Sequence, residues 1–492
     1  MLRKVQLTAA LILIGILSFV CVNRCGLFRI LVQNRRVMLN EQWITHIIEK
    51  KYAAAEVELL AVFNIYTGVS IKRTERSGDI IVRIAGLPDT ALDITVDNHR
   101  LRVDEKDIWH RAIRRVSDDR DWGWYIDADI TIEIPKDVRL TEMEFDIQSA
   151  VQLNDIEAGF VRINDTDGTA FTARCCRFDT LDSAGNIVMD IADTDIRKRL
   201  ILNSHNRNIH LKNISAPVAE ITAGNSAFHA DNITFDELVC RVENGSCKVT
   251  GTVTKNAAIS TEHGAVSLKL HTETVAETVS VRSSGGSISL GQLAAQTADI
   301  QSQYGSIRLD RIRFDTLECR ADSGAISLNG IITKRADITS INGSIMIDLH
   351  DEPVAEHIKM RTQYGSISAK NISAAAADIQ VDNGSFKGDN CTLTDLSATV
   401  GSSLSFNGDL SGTNRLTSRY GSIILTLIKP ESEYAIASGR KREGTTAAAV
   451  GNITIERSSQ SPEEFPIIAG SANAPNKLFL SADNGKITIR TK

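Results

Sequence analysis

Over most of the chain apolar residues alternate with polar ones, and a glycine interrupts the alternation at near-constant intervals. The rhythm is plainest in ADIQSQYGSIRLD, TLECRADSGAISLNG, ADITSINGSIMIDL, HIKMRTQYGSISAKN and ADIQVDNGSFKGD. Gly245, Gly264, Gly286, Gly305, Gly324, Gly343, Gly365, Gly384 and Gly421 are spaced 19 or 22 residues apart, except for a final double step. Two residues after each glycine stand Cys247, Val266, Ile288, Ile307, Ile326, Ile345, Ile367, Phe386 and Ile423. Five before it stand Cys240, Ile259, Val281, Ile300, Cys319, Ile338, Met360, Ile379 and Leu416. Alternation of period two predicts strands with one buried face. A fixed repeat of roughly 20 to 50 residues predicts stacked coils. Each repeat is therefore expected to be two short strands around a corner, and the whole an all-β, parallel β-solenoid with aliphatic ladders inside. The glycine is expected to supply a positive φ at the corner. Small residues three positions earlier (Thr261, Ser283, Ser302, Ala321, Ser340, Thr362) fit a chain bending inward.

The repeat sets the domain boundaries. Residues 150–428 carry the coils, weakly at first (DGTAFTA, AGNIVMDI, NIHLKN, AGNSAFHA). Residues 53–149 lack the repeat and read as consecutive strands, with Pro88 and Pro135 at strand ends, where a missing donor does least harm. They are expected to form a small β-rich capping domain, because the end of a solenoid is an exposed sheet edge. Residues 429–492 keep VGNITIE and NGKITIRT but loosen the rhythm, as a C-terminal cap would.

Charge and hydropathy add two points. The net charge of -6 is unevenly spread: residues 1–52 hold eight Lys or Arg and two acids, leaving 47 basic and 59 acidic residues, a net -12, on the rest. So acidic a body is not expected to bind nucleic acid, whose affinity comes from clustered Lys and Arg. Residues 5–22 form an apolar run behind Arg3 and Lys4. In a helix, 18 residues span about 27 Å, short of a hydrocarbon core of about 30 Å. Residues 1–22 are therefore either a membrane anchor or a signal segment, followed by a basic linker at 23–52; no small-residue cleavage site follows cleanly, which favours the uncleaved anchor. Arg24, Arg29, Arg35 and Arg36 on its far side would by the positive-inside tendency hold the body in the cytoplasm. The absence of acids before Glu41 would also suit an organellar presequence.

The order of GDIIVRI, an LRVDE strand and ITIEIP, then repeated SGAISL or NGSIMI units, then a closing DNGKITI, resembles the putative-adhesin β-strand-repeat family of cell-envelope proteins. The resemblance spans about residues 55–492. It implies a β-solenoid attached to or exported across a membrane, with an extracytoplasmic body and a role in adhesion, surface scaffolding or envelope-stress sensing. It carries over no catalytic motif.

Chemistry is sparse. INDTDGT at 163–169 has the look of a calcium loop, but Ile163 stands at its first ligand position and Arg174 where a bidentate acid is needed. Cys240, Cys247 and Cys319 fall in inward columns and are expected to be reduced. Cys240 and Cys319 would lie four coils, about 19 Å, apart, too far to bond. Cys175 and Cys176 have no evident role. No His-x-x-x-His or Cys-x-x-Cys pair occurs, so neither metal nor cofactor is expected. Two surfaces stand out. Trp109, Trp122 and Trp124 share a loop with Arg114 and Arg115, and either pack on the first coil or face a glycan, lipid headgroup or protein. Four residues before the glycine, Arg241, Arg282, Arg320 and Arg361 recur at every second coil, about 9.5 Å apart. They form either a salt-bridged face or a track for a repeating polyanion. The expected partners are the membrane, through residues 5–22, and a polysaccharide or envelope protein. The leading function is a non-enzymatic, membrane-anchored solenoid. The competing one is a carbohydrate-active enzyme of the β-helix type, a polysaccharide lyase or hydrolase, which requires carboxylates roughly 5 to 9.5 Å apart around a groove.

Overall fold

The computed structural model describes residues 31–33, 36–38, 47–65, 67–85, 87, 91–106, 129–165, 170–271, 275–349, 355–438, 452–456, 467–471 and 474–491. The expected membrane segment at residues 5–22 lies outside them, and none of the described residues forms a helix long and apolar enough to cross a membrane. Strands dominate; helix among the described residues is confined to short 3-10 turns. The chain divides into two compact units, Met1–Ala216 and Pro217–Lys492.

In the second unit, the expected register is the observed one. Phe228, Cys247, Val266, Ile288, Ile307, Ile326, Ile345, Ile367, Phe386, Leu404, Ile423 and Ile487 face one another in sequence across parallel strands. All are buried. A second ladder runs Cys240, Ile259, Val281, Ile300, Cys319, Ile338, Met360, Ile379, Ala398, Leu416 and Leu480, also buried. Every coil thus repeats the same two inward contacts, each worth about 1.5 to 3 kcal/mol for a large aliphatic side chain.

The corner chemistry differs from the expectation in one respect. The turn glycines do not have positive φ. They are glycine because the coils touch there: a Cβ on Gly305, Gly324, Gly343 or Gly365 would lie 2.1 Å from the carbonyl oxygen of the preceding coil's turn glycine. Positive φ belongs to the opposite corner, six residues later. Asn232, Gly251, Gln292, Arg311, Gly330, Asn371, Asn390 and Gly408 all adopt it. Of the small residues three before the glycine, Ser283, Ser302, Ser340 and Thr362 prove to be hydroxyl clips, while Ala321 has no hydroxyl to offer. Ser340 Oγ accepts from the Gly343 N–H (2.9 Å) and donates to the Gly324 carbonyl (3.1 Å); Thr362 repeats this with Gly365 (3.1 Å) and Gly343 (2.8 Å). Each clip satisfies buried backbone groups and ties one coil to the one before it.

The first unit is built the same way but threaded out of order. Leu101, Leu60, Met143, Val161, Leu181 and Leu200 form one buried parallel ladder, and Ile132, Ile71, Leu153, Ala173 and Ile191 another. The strands Leu59–Ile65 and Gly68–Thr74 therefore lie between the later pair Arg100–Glu105 and Asp129–Pro135 and the next coil, Leu140–Ile147 with Val151–Asn154. Antiparallel strands cover the outer side. Leu92–Asp97 pairs with Arg100–Glu105 through an Asn98-His99 turn of positive φ, while Asp79–Ala85 pairs with Asp129–Pro135 and is itself covered by Ile47–Ala53. The outermost strands are short and charged, with Glu49, Lys50 and Lys51 on one and Asp93 and Asp97 on the other, which discourages further pairing.

The second unit closes by a similar detour. Gly421 and Gly485 are consecutive turn glycines in space, since the Gly485 Cβ position meets the Gly421 carbonyl. Ile423–Leu427 pairs directly with Lys486–Thr491. Between them the chain lays Tyr434–Ser438 beside Asn476–Ala482, and Asn452–Glu456 antiparallel to the last strand.

Candidate ligand-binding face

Arg241, Ser260, Arg282, Gln301, Arg320, Thr339, Arg361 and Gln380 stand opposite one another in consecutive strands of the second unit. The outward side of a strand flanked by buried neighbours leaves these side chains no direction but solvent. The four arginines thus form one straight column on alternate coils. Three are engaged with acids of the same face. Arg282 Nη2 donates to Asp299 Oδ2 at 2.5 Å, Arg320 Nε to Asp322 Oδ1 at 2.9 Å and Arg361 Nη2 to Asp378 Oδ2 at 3.4 Å. Their side chains remain 58, 54 and 44% exposed, so the pairs are weak, about 0 to 1 kcal/mol each. Lys359 makes a similar pair with Asp337 at 3.0 Å.

A shallow pocket opens on this column between Arg282 and Arg320, with Gln301, Ser302 and Gln303 among its lining residues. Asp322 is the one carboxylate in that lining, and Arg320 holds it. Glycosidic-bond hydrolysis in its usual form needs two carboxylates, so this arrangement can bind an anion or a hydroxylated ligand but lacks a general acid/base pair.

The tryptophan loop with Trp109, Arg114, Arg115, Trp122 and Trp124 lies outside the described residues. In the calcium-loop look-alike, Ile163 is buried in the core and Arg174 pairs with the carboxylate of Asp190 and donates to its backbone carbonyl at 2.9 Å, so both positions are structural. Cys240, Cys319, Cys176, Cys247 and Cys391 are buried and free of disulfides, with the Sγ atoms of Cys240 and Cys247 in hydrogen-bond contact at 3.5 Å. Burial raises the Cys319 thiol well above its ordinary range and pushes those of Cys176 and Cys391 up to about 11. Cys175 is exposed at a positive-φ corner (φ 54°), the position that Asp155 and Asp193 fill in the adjacent coils, which accounts for the adjacent pair.

Sequence reasoning passed over three exposed rings. Tyr304, Tyr364 and Tyr420 occupy the corner position just before the turn glycine and are 66, 60 and 74% exposed. Their signal was the recurrence of SQYGS, TQYGS and SRYGS.

Solved structures provide remote comparisons. A putative adhesin from Bacteroides fragilis aligns with 66% of this chain and 96% of its own at 12% identity and a TM-score of 0.16. A putative adhesin from Parabacteroides merdae aligns with 66% and 95% at 11% identity and a TM-score of 0.19. A putative lipid binding protein from Parabacteroides distasonis aligns with 71% and 97% at 12% identity and a TM-score of 0.18. No curated protein matches the chain. The Toastrack DUF4097 family matches residues 63–310, 265–351 and 310–461, which together span most of the sequence and nearly all of its coils. The chain therefore belongs to the Toastrack DUF4097 family.

Proposed function

We propose that this protein is a non-enzymatic binding scaffold of the cell envelope, tethered through residues 5–22, whose second unit holds an extended acidic ligand along the arginine column. The observation that carries the reading is the straight in-register alignment of Arg241, Arg282, Arg320 and Arg361 on alternate coils. Guanidinium forks at a fixed spacing of about 9.5 Å match a repeating polyanion, and each weak contact strengthens the next because the wall holds both in place. The pairs with Asp299, Asp322 and Asp378 are exposed, so a ligand carboxylate can replace them at little cost. The apolar run and the lack of a clean cleavage site after it support the tether, and the resemblance of the repeated units to putative adhesins supports a role in adhesion or surface scaffolding.

The test is the combined variant Arg282→Ser, Arg320→Ser and Arg361→Ser, using the residue that the column already carries at Ser260. Binding of an acidic polysaccharide should fall at least about tenfold, and its sensitivity to added salt should weaken, while the melting temperature stays within about 2 °C. Unchanged binding together with a lowered melting temperature would show that these arginines only neutralise the neighbouring acids.

A further inference from the structure

We infer that Tyr304, Tyr364 and Tyr420 are stacking platforms for the sugar rings of an acidic polysaccharide lying along the solenoid, an inference that rests on the arginine-column reading above. The corner position before the turn glycine is outward, and elsewhere it carries Asn244, His263, Gly285, Ser323, Asn342, Asn383 or Ser402. Folding has no use for a ring there, because an exposed ring forgoes the burial that usually justifies an aromatic residue.

The tyrosines are also evenly placed. Backbone hydrogen bonds put Tyr304, Ser323, Asn342, Tyr364, Asn383, Ser402 and Tyr420 at the same corner of seven successive coils. The Tyr304 N–H donates to the Ser284 carbonyl at 3.1 Å, that of Ser323 to Gln303 at 3.0 Å, that of Asn342 to Asp322 at 2.9 Å and that of Tyr364 to Ile341 at 2.9 Å. Asn383 then donates to Gln363 at 3.0 Å, Ser402 to Gly384 at 2.9 Å and Tyr420 to Gly401 at 2.9 Å. Each tyrosine is thus three coils from the next, about 14 Å. One coil rises about 4.8 Å, close to the advance of one pyranose residue in an extended chain, so every third ring of such a chain could meet a tyrosine.

The flanking chemistry suits a sugar. Each tyrosine follows an exposed planar hydrogen-bonding group, Gln303, Gln363 or Arg419. A pyranose offers a face of C–H groups to a π surface and hydroxyls around its rim to amide or guanidinium donors. Gln303 also lines the pocket between Arg282 and Arg320, so an anion-binding recess adjoins the first platform in sequence and on the same corner. A ligand with both rings and carboxylates fits this combination; a flexible polyacid without rings uses only the arginines.

The experiment compares the full-length protein with a variant carrying Tyr304→Ala, Tyr364→Ala and Tyr420→Ala, using polygalacturonate and poly-L-glutamate as probes. The variant should lose at least about tenfold in affinity for polygalacturonate, keep its affinity for poly-L-glutamate and melt like the parent, since the rings are exposed. Replacement by Trp at the same three positions should retain polygalacturonate binding. If the parent binds both probes and the alanine variant still binds polygalacturonate as tightly, the stacking role is refuted while the arginine column stands. If the parent binds neither probe, both readings fall. Equal losses for the two probes would also overturn the inference, because they would show a general disturbance of the wall and not ring recognition.

Discussion

A single carbonyl oxygen explains why the turn column is glycine. At Gly324 an added Cβ would approach the Gly305 carbonyl oxygen to 2.1 Å, and both atoms are backbone with no freedom to withdraw. At Gly291, an outward strand glycine, the nearest atom to an added Cβ is the Asp310 carbonyl oxygen at 3.9 Å. Gly324→Ala should therefore cost roughly 2 to 4 kcal/mol, whereas Gly291→Ala should be neutral or slightly stabilising. Urea melts of the two variants decide this, and similar midpoints would show that the coil contact is not the constraint. The buried thiols make a second residue-scale prediction. Burial favours the neutral form of Cys176 and Cys391, raising them from 9.0 to about 11 in the fold. The stability they contribute is complete below about pH 9 and is lost as the pH rises through about 11, by up to about 3 kcal/mol per thiol. Under reducing conditions the variant with Cys176→Ala and Cys391→Ala should lose less stability between pH 8 and pH 11 than the parent does. Parallel alkaline curves would show that the thiols stay neutral or that other groups dominate.

At the scale of the element, each strand is held by its two neighbours in the stack and by little else. Ile326 lies between Ile307 and Ile345 and is fully buried, so Ile326→Asp would place a carboxylate where no partner exists. The cost of several kcal/mol should be paid locally, because stacked repeats transmit stability only through nearest-neighbour interfaces. Hydrogen exchange of that variant should show lost protection centred on Ile307–Ala321, Ile326–Ser340 and Ile345–Leu349. Protection of Ile423–Leu427, several coils away, should change little. Uniform loss across the second unit would mean that its coils unfold as one cooperative block. The hydroxyl clips at Ser340 and Thr362 belong to this scale too, since each adds a side-chain bond between two coils beside the backbone bonds that run on through the corner.

For the molecule as a whole, the main problem of a parallel stack is an open end, and each unit covers one such end with its own strands. In the first, the chain runs through the strands Leu59–Ile65 and Gly68–Thr74, continues outward, and returns only after antiparallel strands have covered the outer coil. In the second, some sixty residues intervene between Gly421 and Gly485, and strands drawn from them flank the final coil. The antiparallel strands occupy the edge of the outer coil to which a further coil would otherwise add, and short charged outer strands discourage other partners.

The sequence by itself determined the coil. Period-two alternation and a 19- or 22-residue glycine interval place Ile307, Ile326 and Ile345 in one ladder and Arg282, Gln301 and Arg320 in one outward column, because a strand has only two faces and a stack has one register. It also determined that Cys240 and Cys319 could not meet. Only the tertiary structure decided the rest. The reason for glycine at the turn is a carbonyl of another coil, which no local pattern encodes; the local expectation of positive φ belongs to the opposite corner, at Asn371, Asn390 and Gly408. Which arginines find acids depends on side chains 17 residues away in the case of Arg282 and Asp299 and two away in the case of Arg320 and Asp322, a choice made by packing across the face. The order in which residues 59–135 stack is likewise invisible in the chain, because strands of similar alternation can exchange neighbours until long-range pairing selects one arrangement.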